Sequence, residues 1–293
     1  MSPRPNPPQR VPPRQVPLLR VPVGDTDRFT PSRHHLVRLR ARTMQADTHF
    51  EPHAHAWAQL AYCATGVVKV TAQRFAGDDA AGEVTYIVPP SRAVWIAPGA
   101  LHQITVLEAA EFRTLYIHAA ATPRGWKGCR VLMVSPLLRE SVHALDGALA
   151  ASQPDPAREK LLTQLVLDEL ARADTQALGV PMPHPRNGDK RLRALCEAIL
   201  RAPGAHATLA AWTANIGASE RTMTRLFRDE LGMSYQQWRQ QAVLAHALPL
   251  LTSGQSVSAV AAASGYASDS AFSAMFRAAM GQSPSHFQGR NVS

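Results

Sequence analysis

The chain has 293 residues, 45% of them hydrophobic, and a formal net charge of +9, which is long for one domain and comfortable for two. No apolar run approaches the roughly 18 residues of a membrane span, and the opening "MSPRPNPPQRVPPRQVP" has no continuous apolar stretch behind it, so it does not read as a secretory signal. Three scattered cysteines, Cys63, Cys129 and Cys196, fit free thiols in a reducing cytoplasm, where the protein is expected to reside.

The charge is unevenly placed: +6 over residues 1–40, −1 over 41–188 and +4 over 189–293. A near-neutral middle followed by a basic end suggests an anionic partner for the C-terminal part. Residues 1–28 hold most of a Pro/Arg tract with too little apolar surface to fold alone, and are expected to form a disordered arm. Residues 29–133 contain short alternating or apolar runs broken by Pro and Gly, such as "LVRLRART", "AQLAYCATGVVKVTA" and "TYIVPPSRAVWIAPG". That pattern describes an all-β barrel or sandwich rather than βαβ units. At residue 134 the period becomes helical. "SPLLRESVHALDGALA" opens with Ser-Pro, a good cap and first-turn pair. "DPAREKLLTQLVLDELARA" gathers Leu161, Leu162, Leu165, Val166 and Leu170 on one apolar face. Residues 134–178 therefore read as connecting helices, whose apolar face packs either on the chain's own barrel or on a second copy in a homodimer. "GVPMPHPRNGD" at 179–189 reads as an interdomain linker, and residues 190–293 as all-helical.

The last hundred residues repeat at an offset of 49: Ser219 matches Ser268, Met223 matches Phe272, Phe227 matches Phe276, Arg228 matches Arg277, Gly232 matches Gly281 and Ser234 matches Ser283. Each unit reads as helix, tight turn, Ser-capped helix and Gly stop, which is a helix-turn-helix. Two copies joined by "SYQQWRQQAVLAHALPLLTSG" make two unrelated hairpins a poor explanation. This region, with its segment "GYASDSAFSAMFRAAMGQSP", resembles the DNA-binding domain of the AraC/XylS family of transcriptional regulators. The resemblance implies a double-stranded DNA partner (promoter or operator), with two recognition helices in successive major grooves and contact with RNA polymerase as an option. By register, the DNA-facing positions are Glu220, Arg221, Thr224 and Arg225 in the first recognition helix, and Asp269, Ser270, Ser273 and Ala274 in the second. Arginine reads guanine bidentately, whereas the second set is small or acidic. The first helix is therefore expected to supply most base readout, and the second unit to be positioned by backbone contacts.

"PHAHAWAQLAYCATG" and "IAPGALH" resemble the two short motifs of a cupin barrel. The resemblance matches His53, His55 and His102 to that fold's three histidines, with Gln59 standing where a glutamate is usual. Three imidazoles suit a divalent metal, but the amide removes the charge that would offset the cation. Three readings stay open: a metal-binding sensor, a metal-free pocket in which His53, His55, Gln59, Trp95 and His102 hold a small-molecule effector, and purely structural histidines. A cupin enzyme with a DNA-binding appendage is the remaining alternative; Glu51 and Tyr62 are its only local acid/base candidates, and no nucleophile triad or phosphate-binding loop is present. Trp57, Tyr86 and Phe112 read as core aromatics that double as candidate pocket walls. The expected architecture is thus α+β: a cupin-like β-barrel, connecting helices, and an all-α tandem helix-turn-helix domain. The expected function is that of a regulator rather than an enzyme, answering to a small molecule or metal.

Overall fold

Two long strands, β4 (Ala58–Gln73) and β7 (His102–Ile117), run antiparallel along most of their length and bend together at bulges between Cys63 and Val68. In the computed structural model, residues 19–21, 29–73, 83–90, 92–126, 128–153, 155–176, 178–206, 208–214 and 216–288 are described. The bend needs Gly66, whose φ of +75° is left-handed. A Cβ at this position would lie 2.3 Å from the Ala109 carbonyl oxygen, so only glycine fits there.

The bend divides one ten-stranded sheet into two layers. One layer pairs β2 (Val37–Met44), the C-terminal half of β7, the N-terminal half of β4, β6 (Arg92–Ile96), β8 (Arg130–Met133) and the short β9 (Thr175–Gln176). The other pairs β1 (Leu19–Val21), β3 (Thr48–His53), the remaining halves of β7 and β4, β5 (Glu83–Val88) and β10 (Val180–Met182). The pairing path ends at β1 and β9 without closing, so the cupin-like domain is an open, folded sheet. Its interior holds Phe50, Ala61, Cys63, Val70, Val94, Ile96, Ile104 and Phe112.

Alternation sends Leu60, Tyr62, Trp95, Leu115 and Ile117 to the outer face of the first layer. There they are covered by α1 (Pro136–Ala150) and α2 (Pro156–Arg172) through Leu138, Val142, Leu145, Val166 and Leu170. Ser135 caps α1 through the Leu138 amide at 2.9 Å, as the Ser-Pro pair leads one to expect. Leu161 lies off that seam and is 67% exposed.

Two segments differ from their sequence-based reading. Leu19–Val21, inside the expected arm, pairs in parallel with β3; the rest of residues 1–28 lies outside the described residues. The expected linker contains β10, which extends the sensor sheet beside β5 and is buried. Pro181 is tolerated because it sits on an edge strand, and its carbonyl accepts a hydrogen bond of 2.7 Å from Trp238 Nε1 of the helical domain.

That domain consists of α3 (Lys190–Arg201), α4 (Leu209–Thr213), α5 (Glu220–Leu231), α6 (Tyr235–Thr252), α7 (Val257–Ala263) and α8 (Asp269–Met280). Ser219, Ser234, Ser256 and Ser268 each cap a helix with the side-chain oxygen. Gly232 and Gly281 end α5 and α8 in the left-handed conformation, with φ of +70° and +75°. Met223, Phe227 and Leu231 bury one face of α5, and Phe272, Phe276 and Met280 the matching face of α8. The repeat in the sequence is therefore a repeat of caps, stops and core anchors, with α6 joining the two units.

Candidate functional site

Three strand ends meet between the layers. His102 opens β7 on the same face as Ile104 and Val106, and is 2% exposed. His53 ends β3 opposite His102, after a register shift between Phe50 and His53 that turns it toward the interior. His55 does not sit on a strand, since β3 ends at His53 and β4 begins at Ala58. It lies in the following loop, which is tied to the Pro98-Gly99 turn by a 2.8 Å bond from Gly99 N to His55 O. The turn that delivers His102 also fixes His55.

Each imidazole is oriented by a main-chain carbonyl. His53 Nδ1 donates to Glu51 O at 2.8 Å, His55 Nδ1 to Trp57 O at 2.6 Å, and His102 Nδ1 to Ala100 O at 2.8 Å. A carbonyl only accepts, so each Nδ1 carries the hydrogen, which leaves the Nε2 atoms of His53 and His102 as the ring nitrogens turned to the cluster, while His55 Nε2 faces the Gln59 amide. One ligating nitrogen from each ring falls within 4.8 Å of the others. The His102 Nε2 is buried and has no hydrogen-bond partner among the described residues. Burial pushes the His102 imidazole down to about 3, opposed by its bond to Ala100; burial also lowers His53. Both rings are therefore neutral at pH 7 and suited to a metal. Gln59, 3% exposed, places Oε1 2.8 Å from His55 Nε2.

The indole of Trp57 stacks on His55, with ring centroids 5.3 Å apart and planes 2° from parallel. Tyr116 stands edge-on to both, at 6.0 Å from His55 and 6.1 Å from Trp57. Tyr116 pairs with Gln59 on one side and Arg38 on the other, so a single row crosses the sheet beside the histidines. Arg38, Arg40 and Arg42 alternate along β2 opposite Tyr116, Thr114 and Phe112, on the interior face. Arg40 bonds to the Tyr116 side chain, and Arg42 lies over the Phe50 ring at 5.3 Å. Burial, then the neighbouring Arg40, depress the Arg42 guanidinium.

His53, His55, Gln59 and His102 are thus brought together. Trp95 is not: it is fully buried on the opposite face, edge-on to Trp126 at 5.0 Å, beneath the helices. Its expected place in the pocket is corrected accordingly. Tyr86 and Phe112 belong to the interior core. Tyr62, whose hydroxyl is raised to about 12 by burial, also faces the helices, and Glu51 pairs outward with Arg20 at 3.3 Å. Neither acid/base candidate reaches the cluster. Tyr116 and the three arginines are absent from the sequence-based candidates; the alternation in "LVRLRART" is the available signal, because it must send either leucines or arginines inward.

In the helical domain Glu220, Arg221 and Arg225 are exposed on α5 and Thr224 is half-buried. Arg225 lies 3.9 Å from Asp229 across one turn. On α8 Asp269, Ser270 and Ala274 are exposed and Ser273 half-buried. Arg228 and Arg277 are exposed near the helix ends, so neither is held in a core ion pair.

The sensor touches the second unit directly. Arg92, 1% exposed at the start of β6, donates from Nη2 to the Met280 carbonyl at the end of α8, at 2.9 Å. Burial lowers its guanidinium to about 10. Thr252 Oγ1, at the end of α6, donates to Glu108 Oε2 at 2.7 Å. A cleft of about 940 Å³ lies along this junction, lined by Arg92, Glu108, Arg139, Glu169 and His286 among others. None of the three clustered histidines lines it, and its mixed charge gives it no defined chemistry.

A histidine cluster inside a folded sheet, attached to a tandem helix-turn-helix, defines a ligand-responsive DNA-binding protein, and comparison with known proteins agrees. Residues 35–173 match the family described as "AraC-like ligand binding domain", and residues 212–290 match "Helix-turn-helix domain". The HTH-type transcriptional regulator NimR of Escherichia coli (strain K12) is 32% identical over 266 residues, covering 89% of this chain and 91% of that protein. The HTH-type transcriptional regulator RipA of Corynebacterium glutamicum is 31% identical over 120 residues, covering 41% of this chain and 35% of that protein. Among solved structures, ToxT from Vibrio cholerae O395 aligns over 86% of this chain and 96% of that one, at 12% identity and a TM-score of 0.35. The chain belongs to the AraC family of transcriptional regulators.

Proposed function

We propose that this regulator receives its signal at a divalent metal held by His53, His55 and His102, and reads its operator mainly through α5. The observation that carries the first half is the set of three Nδ1–H···O=C bonds. With the rings so fixed, one ligating nitrogen from each lies within 4.8 Å of the others, and that of His102, Nε2, is buried and unpartnered among the described residues. A ring fixed by a main-chain carbonyl is what a metal-ligating histidine needs. Three imidazoles form an open site for zinc or a later first-row metal, with Gln59 beside it as a weak neutral oxygen donor. The protein is purified without a histidine tag and analysed for metals. About one equivalent is expected in the wild type and loss of it in His102→Ala; wild type without metal refutes the reading.

The contact of Gln59 with His55 favours a second reading, a metal-free pocket that hydrogen-bonds an organic effector. For readout, Arg221→Ala and Arg225→Ala are each expected to weaken operator binding by about 1–3 kcal/mol where they read guanine, measured by mobility shift on the DNA upstream of the protein's own gene. Unchanged binding refutes that role. Further parts of the reading are a cytoplasmic location, a homodimer seated on the α2 face that exposes Leu161, and contact with RNA polymerase when the output is activation. It contains no catalytic step, in keeping with the outward placement of Glu51 and Tyr62.

A further inference from the structure

A cleft of about 570 Å³ opens between the two helix-turn-helix units, against the first two turns of α6. Its walls come from both units, with Glu220 of α5 on one side and Tyr266 and Met275 of the second unit on the other. Gln236, Arg239 and Gln240 line it from one face of α6. The units also touch directly here. A Cβ on Gly265 would lie 2.8 Å from Gly204 Cα and 3.4 Å from Arg239 Nη2, so the turn bearing Tyr266 is pressed onto the first unit and onto the Arg239 guanidinium.

Two phenols hold Arg239 in place. Tyr235 packs edge-on against Phe227, a core anchor of α5, at 5.4 Å, and Tyr266 against Phe272, the matching anchor of α8, at 5.5 Å. The guanidinium lies 6.0 Å from the centre of the Tyr266 ring. Burial raises both phenols, and the Arg239 charge beside them opposes the rise. Neutral phenols leave that charge uncompensated. The ion pairs of this domain fall on Arg191, Arg193 and Arg225, and among the described residues none includes Arg239. Its Nε is buried and has no partner among them. Glu220, the one carboxylate on the cleft, does not pair with it.

We infer that this cleft holds the sugar-phosphate backbone of the operator where it passes between the two major grooves, with Arg239 as the charge that meets a phosphate; this rests on the reading of α5 and α8 as the DNA-facing helices. Recognition helices in successive major grooves are one helical turn apart, about 34 Å. The duplex between them presents its minor groove and the phosphates on either side. The cleft stands at that point, because its walls belong to α5 and α8. Arginine, tyrosine and glutamine side chains are common donors to phosphate and sugar, and a guanidinium already fixed by packing has less freedom to lose on binding. Such a contact carries no sequence information. It sets the register of both units together, since the phenols brace Arg239 against the cores of both. It also serves a second recognition helix whose base-facing positions, Asp269, Ser270, Ser273 and Ala274, include no cation.

The test uses the full chain and a duplex that it selects from a random pool, mapped by phosphate-ethylation interference. In the wild type, ethylation of phosphates between the two major-groove segments is expected to block binding. In Arg239→Gln that central interference is expected to vanish while the flanking interference stays. Salt titration gives a second readout, because loss of one phosphate contact lowers the slope of log affinity against log salt by about 1. Arg239→Gln is expected to show that drop and to weaken the selected duplex and a scrambled one by the same factor, whereas Arg239→Lys keeps the slope. Wild-type interference confined to the flanks overturns the inference without recourse to a variant, and leaves α5 and α8 as the DNA-facing helices. An unchanged slope in Arg239→Gln overturns it too, whether or not affinity falls, since Arg239 is then a brace between the units alone. If no duplex is selected, or no pair of major-groove segments is found, the DNA-facing reading falls with it.

Discussion

The pH dependence of the metal-free sensor gives a direct test of how the histidine cluster is built. His102 is 2% exposed, and burial depresses its imidazole from 6.5 to about 3. The unfolded chain therefore binds a proton that the folded chain refuses throughout that interval. Stability is fully retained above the unfolded value and is lost as the pH falls through it toward about 3. Each unit of difference is worth about 1.4 kcal/mol, so lowering the pH from about 7 to about 5 removes about 2 kcal/mol through His102 alone. His53, also lowered by burial, acts in the same direction. The assay is urea unfolding of EDTA-treated protein at about pH 7 and about pH 5, followed by tryptophan fluorescence, for the wild type and His102→Gln. Glutamine does not titrate, so the variant is expected to lose about 2 kcal/mol less than the wild type over this step. Equal losses in both proteins refute the argument, because they mean that the His102 ring takes up its proton as easily folded as unfolded.

Three further substitutions test the frame around the two sites. Phe276→Ala removes a fully buried anchor that packs against Phe272 and Phe287; it is expected to cost about 3–5 kcal/mol in thermal or chemical unfolding of the helical domain. Arg92→Ala leaves the Met280 carbonyl without the sensor's donor, worth about 1–3 kcal/mol, and is expected to speed amide exchange over Phe276–Met280 with little change over α5. Gly66→Ala forces a Cβ to within 2.3 Å of a backbone oxygen at a left-handed φ. It is expected to yield insoluble or unfolded sensor, and normal folding of this variant, judged by circular dichroism, refutes the assignment of the bend to glycine.

The helical domain is legible in the sequence because its determinants are local. A serine cap, a core aromatic and a left-handed glycine all fall within one helix, so their repetition at a fixed offset reports structure directly. The histidine cluster is legible as a residue set, although His55 arrives by a loop rather than a strand. Trp95 escapes a sequence reading for an identifiable reason: all five residues of β6 are buried, because one face meets the interior and the other meets α1 and α2. A strand covered on both sides shows no alternation from which to choose a face. The same helices explain the arginines. They cover Val37 and Leu39 from outside, which leaves Arg38, Arg40 and Arg42 to point inward, against the usual preference for charges at the surface. The segment 179–189 reads as a linker because of its prolines, while the decisive partners of β10, namely β5 and Trp238, are distant in sequence.

Strand β6 is five residues long, about 16 Å at the usual rise. One end, Ile96, pairs with Gln59 at the cluster, and the other, Arg92, holds the last carbonyl of the second recognition helix. A ligand that shifts Gln59 against this strand and a duplex that shifts α8 against it act on the same rigid piece. Reciprocity then applies: whatever factor the effector imposes on operator affinity, the operator imposes on effector affinity. A promoter-bound copy and a free copy of this protein would therefore report different effector concentrations, and the site on DNA becomes part of the calibration of the sensor.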